Sequence, residues 1–145
     1  MQSMSEVNAR QWLRQQGVMA GKWLDDVVGG FDFEHYPVYV QHLFADEVIY
    51  QYIRNPGHSD LNPDRGSWFC LKGSTPYRLA ISEGVAGRRL HEFRVKFALT
   101  ALEGVAARKA IDWNYAIGGG GGGTQLFIPP FQIARICAVT PAERW

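Results

Sequence analysis

The sequence predicts an α+β domain. Three observations carry that prediction. Short β-branched and aromatic runs outnumber helical stretches, the helical stretches gather at the N-terminus, and no β–α–β alternation suggests a doubly wound parallel sheet. The 145 residues are 46% apolar and 20% charged, the composition of one globular domain with a real core. Fifteen Lys and Arg balance fourteen Asp and Glu to a net charge of +1, so neither a basic nucleic-acid binder nor an acidic solubiliser is expected. Cys70 and Cys137 are too few for a disulfide framework; two buried thiols are expected, with a single bridge as the alternative. No apolar run approaches ~20 residues and MQSMSEVNARQWLRQQG has no apolar h-region, so neither a membrane span nor a secretion signal is expected.

The elements follow in order. Ser3 and Glu6 have capping-box spacing, and Val7, Trp12 and Leu13 follow before Gly17, which predicts a first helix. A second is expected from Ala20 to Val28, closed by Gly29 and Gly30. Residues 1–36 thus read as a helical extension, a cap or tether, ahead of a domain spanning 37–145. VYVQHLFADE after Pro37 fits strand or helix equally. VIYQYIR reads as a strand ending in Arg54, NPGHSDLNPDRG as a loop and SWFCL as a short strand. Thr75 and Pro76 form a helix start. Phe93, Val95, Phe97 and Leu99 alternate with Arg94, Lys96 and Ala98, predicting one strand with a buried and a wet face. Six glycines, Gly118 to Gly123, precede TQLFIPP, and QIARICAV reads as the last strand.

Several chemistries are excluded by pattern. His35, His42, His58 and His91 have no zinc-like spacing with either cysteine, so no metal is expected. There is no GxSxG elbow and no Walker loop, because the glycine run leads into Thr124 and Gln125. Three features retain chemical interest, each with a plain alternative. The glycine run is either a flexible linker or a loop that lets a ligand lie against bare backbone N–H groups, with Gln125 emerging beside it. Arg54 is either a solvated strand end or a fork for phosphate oxygens, and Arg65 is its rival. Trp68 is either core or the wall of a planar-ligand site, with Ser67 beside it to hold a loop or ribose by hydrogen bond.

Taken in order, YIR ending at Arg54, Gly66-Ser67-Trp68-Phe69, Thr75-Pro76-Tyr77, Leu90-His91-Glu92-Phe93-Arg94-Val95 and GGGTQLF ending at Phe127 form a recognisable set. Over roughly Val48 to Pro129 the chain resembles the NAD-glycohydrolase toxin family typified by the tuberculosis necrotizing toxin. The resemblance implies a compact ADP-ribosyltransferase-like fold with a mixed β-sheet core. It implies Gln125 as the catalytic glutamine and Arg54 as the phosphate-binding arginine. Ser67 and Trp68 match the Ser-aromatic pair beside the nicotinamide ribose, with Trp where the family usually has Tyr, and His91 matches a His opening the amphipathic strand. NAD+ or NADP+ would be the substrate, with no further cofactor, and choice between them would rest on a basic contact such as Arg78, Arg88 or Arg89. A secreted or delivered effector acting in a target-cell cytoplasm, with a cognate immunity protein, is implied as well. The loop between Arg54 and Gly66 is longer than the family's, and the first forty residues have no counterpart in it.

The implied chemistry suits these residue types. Breaking the nicotinamide–ribose bond expels a neutral group from a pyridinium, so no acid is needed to protonate it. Positive charge grows on the ribose, and a side-chain carbonyl dipole held against it stabilises the transition state. Gln125 can supply that dipole. No Asp or Glu lies between Gly118 and Gln132, which favours hydrolysis over the transferase chemistry of related folds. An ADP-ribosyltransferase acting on protein or RNA and a non-enzymatic binding module are the alternatives.

Overall fold

A computed structural model describes residues 3–19, 21–53, 67–70, 89–107 and 124–141. Two helices come first, α1 (Glu6–Gln15) and α2 (Gly21–Gly29). Ser5, not Ser3, caps α1: its backbone is extended and its Oγ accepts from the Asn8 N–H at 3.1 Å. Gly17 follows the helix at φ 98°, a left-handed conformation that favours glycine, and turns the chain toward α2. Among the described residues seven strands follow: β1 (Tyr39–Leu43), β2 (Val48–Ile53), β3 (Ser67–Cys70), β4 (Arg89–Val95), β5 (Leu99–Val105), β6 (Thr124–Ile128) and β7 (Ile136–Pro141). The helix start expected at Thr75, and Arg54, Arg65 and the glycine run, lie outside the described residues.

Two strand expectations are corrected. The alternating run from Phe93 to Leu99 is not one strand. β4 ends at Val95, the chain turns through Lys96–Ala98, and Leu99 opens β5. Phe97 is 66% exposed, because the N–H groups of Lys96 and Phe97 leave the ladder for the Arg135 carbonyl. QIARICAV likewise does not start as a strand. Pro130 begins a 3-10 helix, Pro130–Arg135, since proline supplies no ladder donor and its φ suits a first helical position. Gln132 within it is a buried polar hub, accepting from the Thr100 N–H at 3.2 Å and donating to Thr100 Oγ1 at 2.6 Å.

The strands form one sheet in the order β1-β5-β6-β3-β2-β4-β7, with every pairing antiparallel. This sheet cannot be flat. Val95 and Leu99 stand on strands four places apart, which in a flat sheet means about 19 Å, yet four residue steps reach only about 14 Å. The link from Leu43 to Val48 also spans four places, from β1 to β2. The sheet therefore curls, and its inner face collects one core from all seven strands: Leu43, Ile49, Phe69, Phe93, Leu99, Leu126 and Ile136, closed by Ile133 of the 3-10 helix. The outer face carries a second core over part of the sheet. There Ala9 and Leu13 of α1 and Leu24, Val27 and Val28 of α2 pack on Phe31, Val38, Leu102 and Phe127. The first thirty-six residues thus supply most of this second core. Met4 N–H donates to the Val38 carbonyl, Asp32 N–H to Val105, and Phe31 bridges Ala106, so the helices are stitched to β1 and β5 by backbone as well.

Candidate active site

Period-two alternation along the strands decides which candidates meet. Gln125 and Phe127 of β6 point to the outer face, Leu126 and Ile128 to the inner one. Trp68 opposes Phe127 in register and Cys70 opposes Gln125. Trp68 and Gln125 therefore lie on the same face of adjacent strands. The indole packs on Phe127 with ring centroids 5.1 Å apart and on Phe31 at 5.2 Å. The indole is partly buried against the outer core and stands diagonally beside Gln125.

Gln125 is 7% exposed, and its Nε2 donates to the Gly30 carbonyl at 2.5 Å. That bond fixes the amide. A flip would set carbonyl oxygen against carbonyl oxygen, so Oε1 is left as the free acceptor end of the dipole. Two glycines make room for this arrangement. A Cβ on Gly30 would sit 2.9 Å from the Trp68 ring, and one on Gly104, which opposes Gln125, would sit 2.7 Å from the Phe31 ring. The residues flanking Gly30 also line a cavity of about 770 Å³, with Asp32, Glu34, His35 and Ala107 among its walls. Asp32 is paired there with His35, whose Nδ1 lies 3.1 Å from the carboxylate.

His91 is not brought to this place. It pairs in register with Gln51, and both belong to the inner face with Ile49 and Phe93. It is 6% exposed. Ser67 pairs with Ile128 in register, so its backbone is next to that of Trp68 and away from Gln125. Cys70 stands opposite Gln125, but burial pushes its thiol up to about 12, which leaves no thiolate to act as a nucleophile near neutral pH. Among the described residues no group of three His, Cys, Asp or Glu side chains is placed to hold a metal ion.

Sequence reasoning passed over two buried polar groups. Glu103 is 8% exposed on the inner side of β5 and accepts a hydrogen bond from the Tyr39 hydroxyl. That bond, with burial second, holds the Tyr39 phenol up at about 12. The signal was present, since Glu103 is the one charged residue in LTALEGV. Gln51, 6% exposed in β2, donates through Nε2 to the Trp68 carbonyl at 2.9 Å. Within VIYQYIR it is one polar residue among β-branched and aromatic ones, and its spacing alone does not single it out.

No protein-family model and no curated protein matches the sequence. Solved structures do. Tse6, solved in complex with Tsi6, matches with a TM-score of 0.63 over 90% of this chain and 96% of that one, at 20% identity. The chain shares its fold with Tse6. Rhs1-CT, solved in complex with its cognate immunity protein RhsI1, matches with a TM-score of 0.53 over 99% of this chain and 98% of that one, also at 20% identity. At that identity the likeness establishes the α+β fold, helices and curled sheet together.

Proposed function

We propose that this chain is an NAD+ or NADP+ glycohydrolase acting as a delivered toxin, with Gln125 as its catalytic residue and a cognate immunity protein as its partner. The observation that carries the reading is the fixed amide of Gln125. Its donor end is held by Gly30, so its acceptor end is presented without rotational freedom, the state in which a dipole stabilises growing positive charge at little reorganisation cost. Trp68 beside it offers an aromatic wall. The cavity walls Glu6, Asp32 and Glu34 disfavour a pyrophosphate, whereas carboxylates with Phe31, Phe33 and Tyr36 suit the cationic pyridinium end of the substrate. The pyrophosphate falls to Arg54 or Arg65 in this reading. Rhs1-CT has the same fold and was solved with an immunity protein, which supports the toxin part of the proposal.

Purified protein mixed with NAD+ is expected to release nicotinamide and free ADP-ribose. Gln125→Ala is expected to lower turnover about 10²-fold, the usual effect of losing one oriented transition-state contact, while the folded state survives. No nicotinamide release by the parent protein overturns the proposal. Adenine-labelled ADP-ribose found attached to protein or RNA would replace it with the transferase reading.

A further inference from the structure

Gly30 touches both parts of the candidate site. Its carbonyl accepts from Gln125 Nε2 and from the Ala107 N–H at 2.9 Å, and its own N–H donates to the Val27 carbonyl at 3.2 Å. Its Cα faces the Trp68 indole. A Cβ there would lie 2.9 Å from Cη2 and 3.2 Å from Cζ2 of that ring, with the Val27 carbonyl oxygen at 3.3 Å. The backbone itself does not demand glycine. Gly17 and Gly21 are the described glycines with positive φ, and Gly30 is not among them, so an alanine would suit its dihedrals. What excludes a side chain is the indole. That ring cannot swing aside freely, because it packs on the buried rings of Phe31 and Phe127. An added methyl therefore moves either the Gly30 peptide, and with it the acceptor that holds the Gln125 amide, or the aromatic wall beside Gln125.

We infer that Gly30 is a positioning residue for the hydrolysis: the close approach of its bare Cα to Trp68 sets where its carbonyl lies, and that carbonyl sets the Gln125 amide. The inference rests on the glycohydrolase reading and adds to it the contact that keeps Trp68 and Gln125 in step. Gly30 acts through Gln125. Its effect falls on turnover, because an oriented dipole counts for more against the charge of the transition state than in the bound ground state.

The test is steady-state NAD+ hydrolysis, per folded molecule, by the parent protein, Gly30→Ala, Gln125→Ala and the double variant, with the Tm of each. Gly30→Ala is expected to lower kcat about tenfold with KM changed less than about twofold. In the Gln125→Ala background the same substitution is expected to lower kcat less than about twofold, since the group it acts through is gone. An equal fall in both backgrounds overturns the inference, as does a lower Tm with kcat and KM kept. A second pair isolates the indole. The ring of Trp68→Phe stops short of the Cζ2–Cη2 edge, so adding Gly30→Ala to it is expected to keep kcat within about twofold of Trp68→Phe alone, and a further fall of about tenfold overturns the inference. Should Gly30→Ala not fold by itself, this second pair decides. A parent protein inactive on NAD+ removes the glycohydrolase reading, and this inference with it; an active parent with kcat unchanged in Gly30→Ala removes the inference alone.

Discussion

On its outer side the sheet has two unlike halves. Over β1, β5, β6 and β3 the helices α1 and α2 and the segment through Phe31 and Val38 bury Leu102, Phe127 and the greater part of Trp68. Over β2, β4 and β7 the same side carries Val48 and Val139, both more than one-third exposed, an exposed Arg94, and half-buried Tyr50, Glu92 and Cys137. The inner core runs under both halves, so the sheet alone does not decide which is covered. What differs is the sequence ahead of β1. Residues that bring their own apolar stripe cover the half whose outward side chains are apolar, and Gln125 lies within that covered half. The Gln125 amide is consequently held by a carbonyl from the N-terminal segment, Gly30, and not by another strand. The site and the helices are one structural unit.

Removing that unit has the largest expected effect. A chain starting at residue 37 would expose Leu102 and Phe127 together and release the Gln125 amide, and is expected to lose cooperative unfolding in urea. A stable, active truncation would make the helices a mere tether and dissolve the contrast. Next come single truncations on the two outer sides. Phe127→Ala is expected to cost about 3–5 kcal/mol, since the ring is 1% exposed, whereas Val139→Ala, at a position 38% exposed, should stay within about 0.5 kcal/mol. Equal shifts of the urea midpoint would show that the halves are energetically alike. The smallest effect is in alkaline solution. Folding raises the Tyr39 phenol from its ordinary 10.0 to about 12, so the protonated form is the one the fold prefers. The stability it contributes is complete below about pH 10 and is lost as pH rises toward about 12. Tyr39→Phe should flatten the fall in urea midpoint between about pH 9 and 11.5, at the cost of lower stability at neutral pH from the buried Glu103 carboxylate left without its donor.

The class of the fold was legible because it depends on alternation and on turn residues, which are local. VIYQYIR, SWFCL and TQLFI became β2, β3 and β6 with few changes of boundary. Phe93 to Leu99 misled because alternation continues across a change of strand: Phe97 keeps the period while the backbone turns beneath it and joins two strands four places apart. Ser3 misled because Ser5 satisfies the same capping chemistry two residues later. The pairing of Trp68 with Gln125 was readable only through the family resemblance, since no spacing along the chain makes residues 68 and 125 diagonal neighbours. The separation of His91 from them follows from register, and register is fixed by contacts between distant segments. Gln51 and Glu103 were visible as letters, but a polar residue in an apolar run acquires meaning only when the structure shows whether its partner is present.

The position of β6 has a consequence for how the molecule holds together. It lies in the interior of the sheet, between β5 and β3, yet it is the sixth of seven strands along the chain. Without residues 124–128, β5 and β3 share no ladder, and Phe127 and Leu126 are missing from the two cores at once. Because β6 gives one side chain to each core, loss of its pairing is expected to open both cores together and not to fray one edge.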